Sequence, residues 1–246
     1  MVKKYRVILF DCFNTLFLPV ASRMPTILLD GKQTPSTAGL LLKHLAESNP
    51  GLAPEAVHWA MRDAWRWAES LRGEECREIS ALERFGRMFE MLELTPPGDE
   101  QLTELLATHM EGVTRSYALP ADYQKLLRTL RRDFRLAIFS NFDYAPALLN
   151  MLRRQDIEPW FDPIVVSATI GYRKPGRRAF DKALEMVGED RRRILFVGDS
   201  LADDVAGAGA AGLDVAWVNV NGETAPPELR PTFSITSLID IANILT

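Results

Sequence analysis

Tyr5-Arg-Val-Ile-Leu-Phe10-Asp11-Cys-Phe-Asn-Thr15-Leu16 is the stretch that sets the architecture. Residues 5–10 are a short run rich in β-branched and aromatic side chains, the pattern of a strand buried inside a sheet. The run stops on a carboxylate, Asp11. From about Ala121 onward similar runs recur between amphipathic segments. Helices are expected over Asp122–Arg132, Tyr144–Arg154 and Arg178–Val187, and strands over Phe134–Phe139, Pro163–Val166, Ile194–Val197 and Asp214–Asn219. Between the last two strands, Asp203–Ala211 reads as a small-residue helix closed by Gly212. Strand and helix in strict alternation predict an α/β fold: a Rossmann-like parallel sheet with helices on both faces.

Residues 37–112 interrupt that rhythm. Thr37–Glu47, Pro54–Leu71, Ser80–Leu92 and Asp99–Met110 read as amphipathic helices with no strand between them. In the second, Val57, Ala60, Met61, Ala64, Ala68 and Leu71 make one apolar stripe. Pro54 suits its first position, and Gly73 lies just past its end. Asn49-Pro-Gly51 and Thr95-Pro-Pro-Gly98 separate the helices. Before them, the Asp30-Gly31 pair inside Ile27–Gln33 is a hairpin signal. A helical insert thus stands between the first strand and the rest of the sheet.

Composition narrows the chemistry. In 246 residues, 29 Lys and Arg against 33 Asp and Glu give a net charge of −4, which argues against nucleic acid and anionic membranes as partners. Two cysteines, Cys12 and Cys76, cannot build a disulfide framework or a thiolate metal cluster. Three histidines (His44, His58, His109) all fall in the helical insert, where surface or partly packed roles are expected. The apolar run after Met1–Lys4 is too short for a signal peptide, and no stretch is long enough to span a membrane, so a cytoplasmic location is expected.

An open parallel sheet binds ligands beyond the carboxyl ends of its strands. Asp11 and Thr15 follow the first expected strand and Ser140-Asn141 the second. Lys174-Pro175 lies in the loop after the third, and Asp199-Ser200 with Asp203-Asp204 follow the fourth. Hard oxygen ligands of this kind suit Mg²⁺, and a lysine with hydroxyls can hold a transferring phosphoryl group. Asp11, Asp199 and the Asp203-Asp204 pair would repel one another at one sheet edge without a cation.

Taken in order, Asp11-Cys-Phe-Asn-Thr15-Leu, Phe139-Ser140-Asn141, Gly171-Tyr-Arg-Lys174-Pro and Val197-Gly-Asp199-Ser-Leu-Ala-Asp203-Asp204-Val resemble the four motifs of the haloacid dehalogenase superfamily. The resemblance covers residues 5–18 and 121–220 and implies a core domain (1–18 and 114–246) split by a flap and helical cap domain (19–113). It implies a hydrolase acting on a small phosphorylated molecule, with Asp11 as nucleophile forming an aspartyl-phosphate. It implies Mg²⁺ held by Asp11, the Phe13 backbone carbonyl, Asp199 and, through water, Asp204, with Asp203 as the alternative. Ser140, Asn141 and Lys174 would bind the phosphoryl group, and Thr15 would order the first loop. Monomer or homodimer are both compatible with it.

One position departs from the phosphatase pattern. Two residues past the nucleophile, phosphatases of the superfamily carry Asp as general acid and base, and here stands Phe13. Its dehalogenases also place an aromatic residue there. They add an arginine early in the cap and a tyrosine six residues past the lysine, where this chain has Gly39–Ala46 without arginine and Phe180. A 2-haloacid dehalogenase-like hydrolase and a weakly catalytic phospho-ligand-binding protein are therefore the alternatives. Among cap aromatics, Trp67 falls on the apolar stripe, whereas Trp59 lies off it beside Arg62 and Arg66. Asp203 also suits a helix N-cap.

Overall fold

The computed structural model describes residues 4–245; the termini of the expected core segments, residues 1–3 and 246, lie outside them. In chain order come β1 (Val7–Phe10), β2 (Leu18–Pro19), the hairpin β3 (Thr26–Leu29) and β4 (Lys32–Pro35), and then four helices. These are α1 (Ala38–Leu45), α2 (Pro54–Leu71), α3 (Ala81–Met91) and α4 (Asp99–Arg115). There follow β5 (Tyr117–Ala118), α5 (Ala121–Leu130), β6 (Arg135–Ser140), α6 (Ala145–Arg153), β7 (Phe161–Val166) and the single turn α7 (Ser167–Ile170). The chain continues through α8 (Arg177–Val187), β8 (Ile194–Gly198), α9 (Ala206–Ala210), β9 (Asp214–Val218), β10 (Phe233–Ile235) and α10 (Ile241–Ile244).

Six strands form one parallel sheet in the order β10-β9-β8-β1-β6-β7. All four residues of β1 are buried, because the strand is paired on both sides and covered on both faces. The apolar side chains fall into one cluster on each face. Ile8, Phe10, Leu136, Ile138, Leu195 and Val197 meet α5 and α6 on one side. Val7, Leu9, Phe139, Phe196 and Val215 meet α8 and α9 on the other. Phe180, on α8, is fully buried inside the second cluster and packs edge-on against Phe139, the next-to-last residue of β6. Pairing register brings three strand ends level: Phe10 lies opposite Ile138 and Val197, so the residues just past β1, β6 and β8 emerge at one edge.

The helical insert has its own core, in which Leu41, Val57, Ala64, Phe85, Phe89 and Leu105 are buried. Ser80 and Glu83 cap α3 reciprocally, so the helix starts where the sequence places it. Several expectations change in detail. On α2 the buried stripe is Val57, Ala60, Ala64 and Ala68, whereas Leu71 is 46% exposed and Trp67 half-buried. Helix α4 runs five residues past the expected end, and there Gly112 lets Leu40 and Thr37 approach where a Cβ would meet them at 2.8–2.9 Å. His109 is buried, its Nδ1 2.6 Å from the Thr37 hydroxyl, so it is neither a surface nor a partly packed residue. Trp59 carries the Arg62 guanidinium on its face at 4.1 Å.

The segment expected as one helix from Asp203 starts two residues earlier as a π turn, Leu201–Val205, before α9. Ser200 rather than Asp203 caps it, accepting from the Asp203 amide at 3.1 Å. Gly212 does end the helical segment, at φ +77°. The β2–β5 pair, which joins the two ends of the insert, and the strand β10 are additions to the elements expected from sequence. No described helix is long and apolar enough to cross a membrane.

Candidate active site

Asp11 leaves β1 with its amide bonded to the Val197 carbonyl at 2.8 Å, which fixes the carboxylate beside the end of β8. Beyond it the chain turns sharply: the amides of Leu16 and Phe17 both donate to the Cys12 carbonyl, and Asn14 takes φ +62°. A cavity of about 320 Å³ opens there. Asp11, Phe13, Asn14, Asn141, Arg173, Lys174, Asp199, Ser200, Asp203 and Asp204 line it, from four separate strand ends.

Lys174 is 2% exposed, and its Nζ donates to Asp11 Oδ1 and Asp204 Oδ1, both at 2.7 Å. Asn141 positions it: the carboxamide oxygen accepts from the Lys174 amide at 2.8 Å, and the amide group donates to the Lys174 carbonyl at 3.0 Å and to Asp203 at 3.2 Å. Asn141 thus clamps the lysine loop and holds Asp203, with its own polar atoms already engaged. Of the adjacent pair it is Asp204 that reaches Lys174, its other oxygen accepting from the Ser200 amide at 3.0 Å. Gly198 makes room for it, since a Cβ there would fall 2.3 Å from Asp204 Oδ2. Asp199 is held by the Thr15 hydroxyl at 3.2 Å and, through its carbonyl, by Trp217 Nε1 at 2.8 Å.

Asp11, Asp199 and Asp204 offer carboxylate oxygens within 4.8 Å of one another. Burial pushes the Asp11 carboxyl up to about 7; Lys174 opposes the rise, and the Asp204 and Asp199 charges add to it. Asp199 is pushed up to about 6, first by burial and then by Asp204. Burial alone would lower the Lys174 ammonium, yet Asp11 and Asp204 beside it raise it, so it stays charged. Three carboxylates against one ammonium, which bonds two of them, outnumber its charge, and an all-oxygen donor set of this kind fits Mg²⁺. Ser140 sits at the end of β6, fully buried, with its Oγ lacking any hydrogen-bond partner among the described residues. Ser140 is not among the residues lining the cavity but directly precedes Asn141, which is, and its unpaired hydroxyl is a group that a ligand oxygen would satisfy.

Sequence reasoning missed a second polar layer, which joins the helical insert to the sheet. Arg84 on α3 donates to Asp143 at 2.8 Å, with both side chains buried, and the Ala81 amide bonds the Asp143 carbonyl at 3.0 Å. Buried Glu78 accepts from Ser167, which also receives the Phe142 amide, and Glu78 lies 3.4 Å from Arg173. The Glu78 amide bonds Gly171 and the Arg173 amide bonds Cys76, at 3.0 and 2.9 Å. Phe13 is half-buried, its ring centroid 4.8 Å from Tyr117 and 4.9 Å from Phe142. Burial, followed by the Asp199 and Asp11 charges, raises the Tyr117 phenol. Trp59 is not among the residues lining the cavity at Asp11.

Comparison with known proteins places this fold among hydrolases of one family. A family model described as haloacid dehalogenase-like hydrolase matches residues 5–212. The chain is 26% identical to the HAD-hydrolase YfnB of Bacillus subtilis over 247 residues, covering 99% of this chain and 97% of that protein. It is 33% identical to the pyrimidine 5'-nucleotidase YjjG of Escherichia coli over 121 residues, which span 49% of this chain and about half (53%) of the relative. Among solved structures, the 2-haloacid dehalogenase of Pseudomonas syringae superposes with a TM-score of 0.73 at 23% identity, covering 98% of each chain. YfnB bound to magnesium superposes with a TM-score of 0.63 at 24% identity, covering 99% of this chain and all of that one.

Proposed function

The chain belongs to the haloacid dehalogenase-like hydrolase family, and on that premise we propose that it is a Mg²⁺-assisted phosphatase of small phosphorylated molecules, with Asp11 as the phosphoryl acceptor. The observation that carries this reading is the cluster of buried Asp11 and Asp204, both bonded to Lys174, with half-buried Asp199 beside them. In it, residues 1–18 and 114–246 act as the core and 19–113 as flap and cap.

An Asp11 carboxylate oxygen attacks phosphorus, and the aspartyl-phosphate so formed is then hydrolysed. Lys174, fixed through Asn141, screens Asp11 from the incoming negative charge. The Ser140 hydroxyl donates to a phosphoryl oxygen, which gives its buried Oγ a partner. Thr15 keeps Asp199 in place. Mg²⁺ would be held by Asp11, the Phe13 carbonyl and Asp199, with Asp204 through water, and when bound it offsets the carboxylate and phosphoryl charges. The Arg84–Asp143 and Glu78–Ser167 contacts tie the helical insert to the loops that follow β6 and β7, and closure of the insert over the site would exclude water.

The dehalogenase alternative draws on the aromatic side chain at position 13. Against it stand the acidic groups at Asp199 and Asp204, and the burial of Phe180 in the sheet's core. A screen of phosphate esters with Mg²⁺, with EDTA and with Asp11→Asn tests the reading. Phosphate release that needs both Mg²⁺ and Asp11 is expected. Release surviving Asp11→Asn, or metal-independent halide release from a 2-haloacid in its place, would overturn it.

A further inference from the structure

An alkoxide leaving a phosphate ester needs a proton, and the side of the site that would supply it is a wall of rings. Phe13 packs against Tyr117 and Phe142 with centroids under 5 Å away. The carboxylates near that wall are already committed: Asp199 accepts from Thr15 and Asp11 from Lys174. Asp143, adjacent to Phe142 in the chain, is buried and accepts from Arg84 at 2.8 Å. Glu78 is buried and bound to Ser167, the residue that also holds the Phe142 amide. Asp203 accepts from Asn141. The histidines of the helical insert are engaged too: His109 with Thr37, His58 with Ser36, and His44 with Thr108. Among the described residues, then, Asp143, Glu78, Asp203 and these three imidazoles already have hydrogen-bond partners, and the hydroxyl that the ring wall itself carries, on Tyr117, is a weakly acidic phenol.

We infer that this site, on the phosphatase reading above, takes phosphoryl groups from donors whose leaving group departs unprotonated, namely acyl phosphates, phosphoanhydrides and enol or aryl phosphates, and turns over simple alkyl phosphates poorly. As an Asp11 oxygen forms its bond to phosphorus, the phosphorus–oxygen bond to the leaving group breaks. The electron pair departs with a carboxylate, phosphate, enolate or aryloxide, each stable as an anion. Water then attacks the phosphorus of the aspartyl-phosphate. The bond to Asp11 breaks with its electrons going to the carboxylate, and the water's proton leaves with inorganic phosphate and solvent. Neither departure needs a side-chain acid, whereas departure of an alkoxide does.

The test is kcat/KM with Mg²⁺ for acetyl phosphate, 4-nitrophenyl phosphate, phenyl phosphate and benzyl phosphate, measured on the wild type, Phe13→Asp and Phe13→Asn. The wild type and Phe13→Asn should lose activity steeply toward benzyl phosphate. Phe13→Asp should recover roughly 10²–10⁴-fold on that substrate, the usual contribution of a positioned acid. If Phe13→Asp fails to fold, the wild-type series decides by itself. A wild type that cleaves benzyl phosphate within a few-fold of 4-nitrophenyl phosphate overturns the inference and leaves the phosphatase reading standing. No phosphate release from any of the four overturns both.

Discussion

Replacing Asp11 by Asn should stabilise the metal-free protein by an amount that grows with pH. The carboxyl is 7% exposed and is pushed up to about 7, from 3.8 in the absence of the fold. Between those values the folded state keeps a proton that the unfolded chain has released. Its stabilising contribution is therefore complete below the unfolded value and is lost as pH rises through the folded one. About three units at about 1.4 kcal/mol each give roughly 4 kcal/mol over the whole window, of which about 2–3 kcal/mol falls between pH ~5 and pH ~8. Asparagine has the shape of the protonated acid and no charge to lose. Lys174 keeps Asp204 at 2.7 Å in the variant, so the ammonium stays paired. Urea unfolding of both proteins in EDTA gives the free-energy difference, and His109, which titrates in both, drops out of it. The variant should gain about 2–3 kcal/mol on the wild type from the lower pH to the higher. A difference that is flat, or that falls with pH, would mean that burial does not destabilise the Asp11 charge.

Ser140→Ala removes a buried hydroxyl that has no partner among the described residues, so stability should change by less than about 1 kcal/mol. Phosphate release should nonetheless fall roughly 10- to 100-fold, the worth of one hydrogen bond to a charged group; an unchanged rate would take Ser140 out of the site. Gly198→Ala would place a Cβ 2.3 Å from Asp204 Oδ2. It should cost about 1–3 kcal/mol in urea unfolding and abolish turnover, and full activity would show that Asp204 need not sit against Lys174. His109 is lowered to about 3, by burial and then by the Arg84 charge. Below pH ~6.5 the unfolded chain therefore takes up a proton that the folded state refuses, and stability falls by about 1.4 kcal/mol per unit down to pH ~3. His109→Gln should flatten that acid limb in pH-dependent unfolding, and an unchanged slope would locate the acid sensitivity elsewhere.

Much of the fold and site was readable from sequence because it depends on local order. A buried strand ending on a carboxylate is visible in Val7–Asp11, and parallel pairing carries the residues after β6 and β8 to the same edge. The four helices announced themselves through apolar spacing, Pro54 and the Pro-Gly breaks between them, whereas the Ser80–Glu83 cap emerged only with the structure. What could not be read depends on how distant segments dock. Arg84 meets Asp143 across 59 residues, and Glu78 meets Ser167 across 89, and neither pair has a spacing signature. The burial of His109 comes from α4 packing on α1, which places Thr37 beside the ring. The three-residue β10 and the two-residue β2 and β5 are too short for alternation to be detected. Phe13 was legible as a departure from the expected acid; that Tyr117 and Phe142 close around it was not.

Covalent phosphorylation of Asp11 can be observed directly. After brief reaction with acetyl phosphate and Mg²⁺ followed by acid quench, mass spectrometry of the tryptic peptide Val7–Arg23 should show one phosphoryl group, labile to hydroxylamine as an acyl phosphate must be. Asp11→Asn should show none. Phosphate released while that peptide stays unmodified, or a hydroxylamine-stable label on another residue, would contradict Asp11 as the phosphoryl acceptor.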